Sequence, residues 1–316
     1  MPIYVINQLP VDERYTKSWY QYFYRHPHFF PLGDDKSVSL DRSKRYNYFS
    51  NLSEAIRYET DQVDKAISLA EQGVLKYLLI ADLDYPGIAS AVIPPLRLIN
   101  PAIHISGILH AGTWCEGDLF KDMKAKVWHE RTALMSCDKV MVATEYHCLK
   151  ICDYFSKFYD NLHIIGGLPL DVDELITYRT EKVNDIMLVG RREQIDTSYL
   201  NDGYLMLTEP IKRSDYLHLL ARHKVAIIPK VEETFGYSAI EALCVGTIPL
   251  VPDGFAFRET IPDAFRYRRM SDLPDMIHTA LSGGYAQVLD AYDPSFYEYR
   301  NILDRIADII LSQGAL

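Results

Sequence analysis

Short apolar runs alternate along this chain with longer stretches in which apolar positions recur at helical spacing. Seven runs have the length and composition of buried strands. They span residues 3–6, 77–80, 103–109, 139–143, 186–189, 225–228 and 248–251. Helical patterns over about 51–73, 145–155 and 238–245 separate several of them, and a last helix opens at Asp293 and Pro294. This alternation predicts an α/β fold with parallel sheets, which bind ligands beyond the carboxyl ends of their strands.

The helical pattern at 51–73 carries both a start and a stop signal. Asn51, with Glu54 three residues later, matches a capping box and predicts that the Asn51 side chain caps the helix. Gly73 marks its end, because glycine adopts the left-handed conformation that commonly terminates helices.

The length of the chain indicates two domains, since 316 residues exceed what one hydrophobic core usually supports. Residues 166–183 form the least periodic stretch and are the predicted linker. We therefore expect an N-terminal domain over 1–165, a C-terminal domain over 184–295, and a terminal helix over 296–316 that packs back across the domains.

Charge changes this picture in one region. The net charge of −10 disfavours non-specific binding of nucleic acid. Residues 14–49, here called the basic aromatic segment, nevertheless carry a net charge of +4 and 11 of the 38 aromatic residues. One interpretation is a helix from Tyr15 to Tyr24 that buries an aromatic face, followed by a solvated basic turn. The other is a positive surface with stacking aromatics, suited to an anionic acceptor.

Other features narrow the class of protein. The N-terminus lacks the pattern of a signal peptide, and no apolar run approaches the roughly 18 residues that span a bilayer. Five scattered cysteines are typical of a reducing compartment, so we expect a cytoplasmic protein. His147, Cys148 and Cys152 imitate part of a metal site, but a closed zinc site needs about four ligands. We therefore expect no metal.

The most informative segment is 233–251. Gly236 allows a close approach of backbone to ligand, and the helix that follows directs its free N–H groups toward an anion such as a diphosphate. Glu241, one turn inside this helix, has a carboxylate that can accept hydrogen bonds from the vicinal hydroxyls of a ribose. Glu233, on the preceding loop, would face the group attached to the diphosphate.

This pattern of two glutamates with seven residues between them, followed by Gly246 and Pro249, resembles the retaining, nucleotide-sugar-dependent glycosyltransferases of the family-4-like group. The resemblance implies a GT-B fold, in which two Rossmann-like domains with parallel sheets face an interdomain cleft. It is specific over about 184–262. Before residue 184, the resemblance is limited to the topology and to His110. Members of the family commonly have an active-site histidine at the end of a strand in the first domain, and His110 ends a predicted strand here.

The resemblance also implies roles for individual residues. His110, Glu233 and Arg191 are the implied catalytic residues, with His110 and Glu233 on the donor sugar and Arg191 on the diphosphate. The loop at 254–259 is expected to line the donor site. The implied donor-binding set comprises Gly190, Arg191, Arg192, Lys230, Thr234, Phe235, Gly236 and Glu241.

Two departures from the family pattern matter. The family places a lysine several residues after the Gly-Arg pair, whereas here no lysine follows Arg191 in that stretch, so Arg192 or Lys230 must supply the second cation. The family also tends to have a glycine-rich loop after its first strand, and here residues 7–10 contain no glycine. We therefore expect the acceptor side to differ from that of the family.

The expected activity is transfer of a hexosyl or pentosyl group from a UDP- or GDP-type sugar to a hydroxyl, with retention and without a further cofactor. One alternative makes the acceptor a hydroxymethylated base in DNA, and another is a nucleotide-sugar-binding protein without catalysis. A GT-B-like epimerase fits the two-glutamate pattern less well. The acceptor and the oligomeric state stay open. The acceptor candidates are Arg42, Lys44, Arg45, Asp84, Trp114 and Asp118.

Overall fold

The computed structural model describes residues 1–40, 51–85, 89–116, 121, 124–190, 203–207, 211–230 and 232–312. The chain divides into two compact units. Unit 1 comprises Met1–Pro169 and Tyr299–Leu316, and unit 2 comprises Leu170–Glu298. The segment 166–183, which the sequence predicts as a linker, contains a short helix of unit 2, Val172–Thr177.

Unit 1 is built on a six-stranded parallel sheet in the order β2-β1-β3-β4-β5-β6. Its strands are β1 (Ile3–Ile6), β2 (Phe29–Pro31), β3 (Tyr77–Ile80), β4 (His104–Ile108), β5 (Lys139–Val142) and β6 (Leu162–Ile164). Its helices are α1 (Tyr15–Arg25), α2 (Leu52–Glu71), α3 (Ala89–Ile99), α4 (Lys124–Ser136), α5 (Glu145–Phe155) and the C-terminal α12 (Tyr299–Leu311).

Unit 2 contains a five-stranded parallel sheet in the order β11-β10-β9-β7-β8. Its strands are β7 (Asn184–Leu188), β8 (Tyr204–Met206), β9 (His223–Ile227), β10 (Ile248–Pro252) and β11 (Arg266–Tyr267). Its helices are α6 (Val172–Thr177), α7 (Arg213–Ala221), α8 (Tyr237–Cys244), α9 (Phe257–Thr260), α10 (Leu273–Leu281) and α11 (Ala286–Ala291). Two parallel sheets with alternating helices confirm the predicted α/β fold class.

The helix predicted from residue 51 forms, but its predicted cap does not. α2 begins at Leu52, and the side chain of Asn51 makes no capping hydrogen bond. Asn51 Nδ2 instead donates to the carbonyl of Ser39, 3.3 Å away, and so holds the preceding segment. The capping-box prediction is therefore wrong, because the amide is used in tertiary structure. Gly73, with φ of +71°, follows the helix as predicted.

The C-terminal helix begins later than its sequence pattern predicts. Asp293 accepts a hydrogen bond from the Ser295 backbone, and residues 294–297 form a single 3-10 turn. α12 then begins at Tyr299 and packs in unit 1, where the Tyr299 ring stacks on Tyr22 of α1 at 4.7 Å between centroids. Among the described helices, none is both long and apolar enough to cross a membrane.

A buried lysine fixes the end of α12. The Nζ atom of Lys139, at the start of β5, donates to the carbonyls of Ile309 and Ser312, the latter at 2.7 Å. The last carbonyls of a helix lack partners within the helix, so this cation satisfies them while the dipole favours it.

Candidate functional site

The segment between β9 and α8 places a glycine directly before a helix, as the sequence predicts. Gly236 has φ of 92° and ψ of 48° and directly precedes α8. A Cβ atom at this position would lie 2.7 Å from Cε1 of Phe257, so both the left-handed backbone and the space demand glycine. The free N–H groups of the first turn of α8 point beyond this glycine. The N-terminus of a helix carries partial positive charge, so this position attracts an anion.

Glu233 lies beside the start of α8 with its carboxylate partly exposed. Its Oε2 atom is 3.8 Å from Nζ of Lys230, and its Oε1 atom accepts a hydrogen bond from the Thr234 backbone at 3.1 Å. Lys230 keeps 26% of its side chain exposed. The backbone N–H of Ala256 donates to the Glu233 carbonyl at 3.1 Å, which ties the predicted donor loop at 254–259 to this segment. Glu233 and Lys230 therefore lie together, next to the helix N-terminus.

Glu241 lies deeper and has a partner that the sequence does not reveal. Its side chain is only 3% exposed, and its Oε1 atom accepts a hydrogen bond from Nη2 of Arg213 at 2.6 Å. Arg213 is the first residue of α7 and keeps 19% of its side chain exposed. Tyr216, one turn along α7, has a buried hydroxyl. Burial raises its pKa, and the Glu241 charge adds to the effect.

Three of the other five predicted donor residues lie within the described ranges. Thr234 and Phe235 are buried, and the Phe235 ring packs edge-on against Tyr237 and Tyr297, as expected for a core residue. Gly190 lies exposed just after β7. The two predicted cations Arg191 and Arg192 lie outside the described residues.

In unit 1, His110 follows β4 at the carboxyl edge of the sheet. Its Nε2 atom lies 2.9 Å from the carbonyl oxygen of Ala81, which follows β3. Its ring stacks on Tyr15 at 5.9 Å and contacts Trp19 at 4.9 Å between centroids. The aromatic face of α1 thus encloses His110, a contact that sequence spacing does not show.

Burial controls the chemistry of His110. The apolar surroundings lower its pKa to about 4, so the imidazole is neutral at pH 7. A neutral ring can bond the Ala81 carbonyl only by donating from Nε2, which leaves Nδ1 as an acceptor. His110 is therefore suited to accept a hydrogen bond from a hydroxyl and unsuited to act as an acid.

Two buried side chains hold the loop that carries His110. Glu130 of α4 accepts hydrogen bonds from the N–H of Thr113 at 2.9 Å and from its hydroxyl at 2.5 Å. Trp114 donates from Nε1 to Nε2 of His147 on α5 at 3.3 Å. Glu130 could not be recognised from the sequence, because a single glutamate on a helix gives no signal that it is buried.

Two of the six predicted acceptor residues, Trp114 and Asp84, lie within the described ranges. Trp114 is a buried core residue, 4% exposed, and contacts the ring of Phe155. Asp84 is buried after β3, and its N–H donates to Oδ1 of Asp82 at 2.8 Å. The remaining four candidates lie outside the described residues: Arg42, Lys44, Arg45 and Asp118.

The described part of the basic aromatic segment forms α1 and β2 and buries most of its rings. The buried aromatic residues are Trp19, Tyr20, Tyr22, Phe23 and Phe29. Tyr24 and Phe30 stay exposed. The interpretation of a helix that buries an aromatic face therefore describes residues 15–25 correctly. Within the described ranges, no group of three or more His, Cys, Asp or Glu side chains is arranged to hold a metal ion.

No family model and no curated protein sequence matches this chain. Solved structures do. Sucrose-phosphate synthase from Thermosynechococcus elongatus is 12% identical with a TM-score of 0.57, over 98% of this chain and 95% of that one. The E. coli trehalose-6-phosphate protein bound with UDP-2-fluoro glucose is 11% identical with a TM-score of 0.56, over 92% and 89%. The UDP-forming alpha,alpha-trehalose-phosphate synthase from Burkholderia vietnamiensis is 10% identical with a TM-score of 0.51, over 98% and 95%.

Proposed function

We propose that the chain is a glycosyltransferase that moves a sugar from a nucleoside diphosphate donor to a hydroxyl acceptor, with retention of configuration. The GT-B fold, which it shares with these structures over nearly its whole length, supports the proposal. The observation that carries the proposal lies in unit 2. There Gly236 opens α8 in a left-handed conformation between Glu233 and Glu241, in the family pattern that the sequence resembles.

The leaving group of this reaction is a nucleoside diphosphate, so the protein must stabilise negative charge as the glycosidic bond breaks. The N-terminus of α8 supplies partial positive charge, and Lys230 supplies a full one beside it. Lys230 thereby fills the place of the lysine that is missing after Arg191. This assignment keeps Arg191 and Arg192 as further candidates for the diphosphate.

Glu241 is assigned to the donor ribose and Glu233 to the donor sugar. Arg213 occupies Oε1 of Glu241, so a ribose hydroxyl would be accepted at the other carboxylate oxygen. Glu233 is held by Lys230 and by its own loop, which orients its carboxylate without burying it. The similar structures from E. coli and Burkholderia vietnamiensis have UDP in their names, which supports a uridine donor here. The sucrose and trehalose in the names of the similar structures are not assigned to this chain.

The enzyme is distinguished from a protein that only binds nucleotide sugars by measuring release of UDP from UDP-glucose and of GDP from GDP-mannose. We expect Glu233→Ala to lower the rate of release about a hundredfold, as for loss of a group that acts in the transition state. Glu181→Ala, at an exposed glutamate before β7, is the matched control and is expected to keep the wild-type rate. Nucleotide binding with no release above buffer in the wild-type protein would favour the non-catalytic alternative.

A further inference from the structure

Two cysteines on α5 form a pair that the proposed function does not use. Cys148 and Cys152 lie four residues apart, so their side chains project from the same face of the helix. The two thiols are in hydrogen-bonding contact with each other. Cys152 is buried and Cys148 is only half-buried, so solvent reaches the pair from the Cys148 side.

The other three cysteines are separate from this pair. Cys115 follows β4, Cys137 follows α4, and Cys244 ends α8 in unit 2. All three are buried, and all five thiols of the chain are free. Cys148 is therefore the thiol with the most access to solvent, and it is the one with a second thiol beside it.

The histidine next to the pair does not complete a metal site. His147 is fully buried, and its Nε2 atom accepts a hydrogen bond from Nε1 of Trp114 at 3.3 Å. It precedes Cys148 by one residue and so lies about 100° away around the helix. A closed zinc site needs about four ligands, whereas this face of α5 supplies two sulfur atoms. A ligand of the pair must therefore be one that two sulfurs satisfy.

Helix geometry decides how the two sulfurs can be joined. Cβ atoms four residues apart on a helix are separated by about 5–6 Å, whereas a disulfide needs a separation of about 3.5–4.5 Å. A direct bond between the sulfurs of Cys148 and Cys152 would therefore distort α5. A single atom placed between the sulfurs lengthens the bridge by one bond, so it spans the pair while the helix stays intact.

The protonation state of the pair indicates the chemistry of that bridging atom. Burial raises the pKa of Cys148 to about 11, and the contact with Cys152 adds to the effect. Cys148 is then a neutral thiol at pH 7, whereas alkylation and oxidation proceed through the thiolate. An oxide of trivalent arsenic needs no thiolate, because its own oxygen takes up the thiol protons as the sulfurs bind.

We propose that Cys148 and Cys152 form a two-sulfur site for trivalent arsenic compounds that carry one organic group. Two S–H bonds and the arsenic–oxygen double bond break, two arsenic–sulfur bonds form, and the oxygen leaves as water with both thiol protons. Arsenic stays trivalent, so the step needs no oxidant or reductant. The organic group keeps the third position on arsenic. The site is independent of the proposed glycosyl transfer.

Intact-mass spectrometry of the native chain with phenylarsine oxide tests the proposal, in a buffer whose reductant is a phosphine rather than a thiol. We expect one phenylarsenic group per wild-type chain and two fewer thiols to titrate after denaturation. Cys148→Ala and Cys152→Ala each leave one sulfur, so the affinity should fall about a hundredfold or more with the loss of two-point attachment. Cys244→Ala, at a buried cysteine of unit 2, is the matched control and should bind as the wild type does.

Tryptic mapping of the wild-type adduct gives a readout that does not depend on the folding of any variant. Lys150 separates the two cysteines, so a bridging arsenic joins peptides 140–150 and 151–157. An excess of glutathione should leave this adduct in place, because a single thiol does not match two-point attachment. The proposal is overturned by a wild-type chain without adduct, by an adduct only on other cysteines, by an adduct that glutathione removes, or by wild-type affinity in both single variants.

Discussion

The ion pair between Arg213 and Glu241 gives a prediction whose size follows from its burial. The two side chains are 19% and 3% exposed, and Nη2 lies 2.6 Å from Oε1. Removing one partner of a buried pair costs about 3–5 kcal/mol, because the other charge stays buried without compensation. Since Arg213 retains access to water, we expect Arg213→Met to destabilise unit 2 by about 2–3 kcal/mol.

A double-mutant cycle separates this pairing from the effect of each change alone. Glu241→Gln keeps the shape of the side chain and removes its charge. In the double variant with Arg213→Met, both charges of the pair are absent, so no buried charge is left without a partner. We expect the double variant to be less destabilised than the sum of the singles by about 1–3 kcal/mol. The buried Tyr216 hydroxyl beside Glu241 gives the glutamine amide a potential new partner, so Tyr216→Phe is added to each variant as a control.

Differential scanning calorimetry is the suitable assay, because the chain has two units and need not unfold in one transition. All three tryptophans, at positions 19, 114 and 128, lie in unit 1, so tryptophan fluorescence does not report on unit 2. The transition of unit 2 should move to lower temperature in Arg213→Met and partly recover in the double variant. Strictly additive effects would refute the pairing.

Three further predictions follow from single contacts. Gly236→Ala forces a left-handed backbone and a close Cβ contact, and should cost about 2 kcal/mol or more, whereas Gly254→Ala, which meets no atom within 4 Å, should be neutral in thermal unfolding. Glu130→Ala should lower kcat by at least tenfold through displacement of the loop that carries His110, and Glu130→Gln should restore part of it; equal kcat in all three proteins would contradict this. Burial lowers the pKa of His147 to about 3, so protons bind the unfolded chain preferentially below about 6.5, and stability should fall by about 2 kcal/mol from pH 7 to pH 5 on this account. Urea unfolding of His147→Gln should show a smaller loss over that range, and an unchanged pH dependence would exclude a neutral buried His147.

The strands that sequence pattern predicted share one property. All seven are interior strands of the two sheets, whereas the four that it missed, β2, β6, β8 and β11, are the edges. Interior parallel strands are covered on both faces and need continuous apolar runs, which are visible in the sequence. The edge strands are only two or three residues long, too short to establish a periodicity.

In the candidate site, too, the sequence predicts features that lie within one segment but not contacts between residues far apart in the chain. Gly236 and Glu241 belong to one segment, and the helix that the sequence predicts there forms directly after Gly236. Arg213 lies 28 residues before its partner Glu241, and a contact across that distance depends on how α7 packs beside α8. Trp114 is among the acceptor candidates, and its ring is buried and donates a hydrogen bond to His147, a contact that the sequence does not show.

Nucleotide binding tests the proposed function most directly. Thermal unfolding of the wild-type chain should be measured with UDP, GDP, UDP-glucose, GDP-mannose and, as a control, inorganic phosphate. A ligand at about 100 times its dissociation constant adds roughly 2.7 kcal/mol of stability. We predict that at least one nucleotide raises the melting temperature by several degrees and that Lys230→Met reduces this shift. A melting temperature that no nucleotide changes would contradict the assignment of unit 2 as a nucleotide-sugar site.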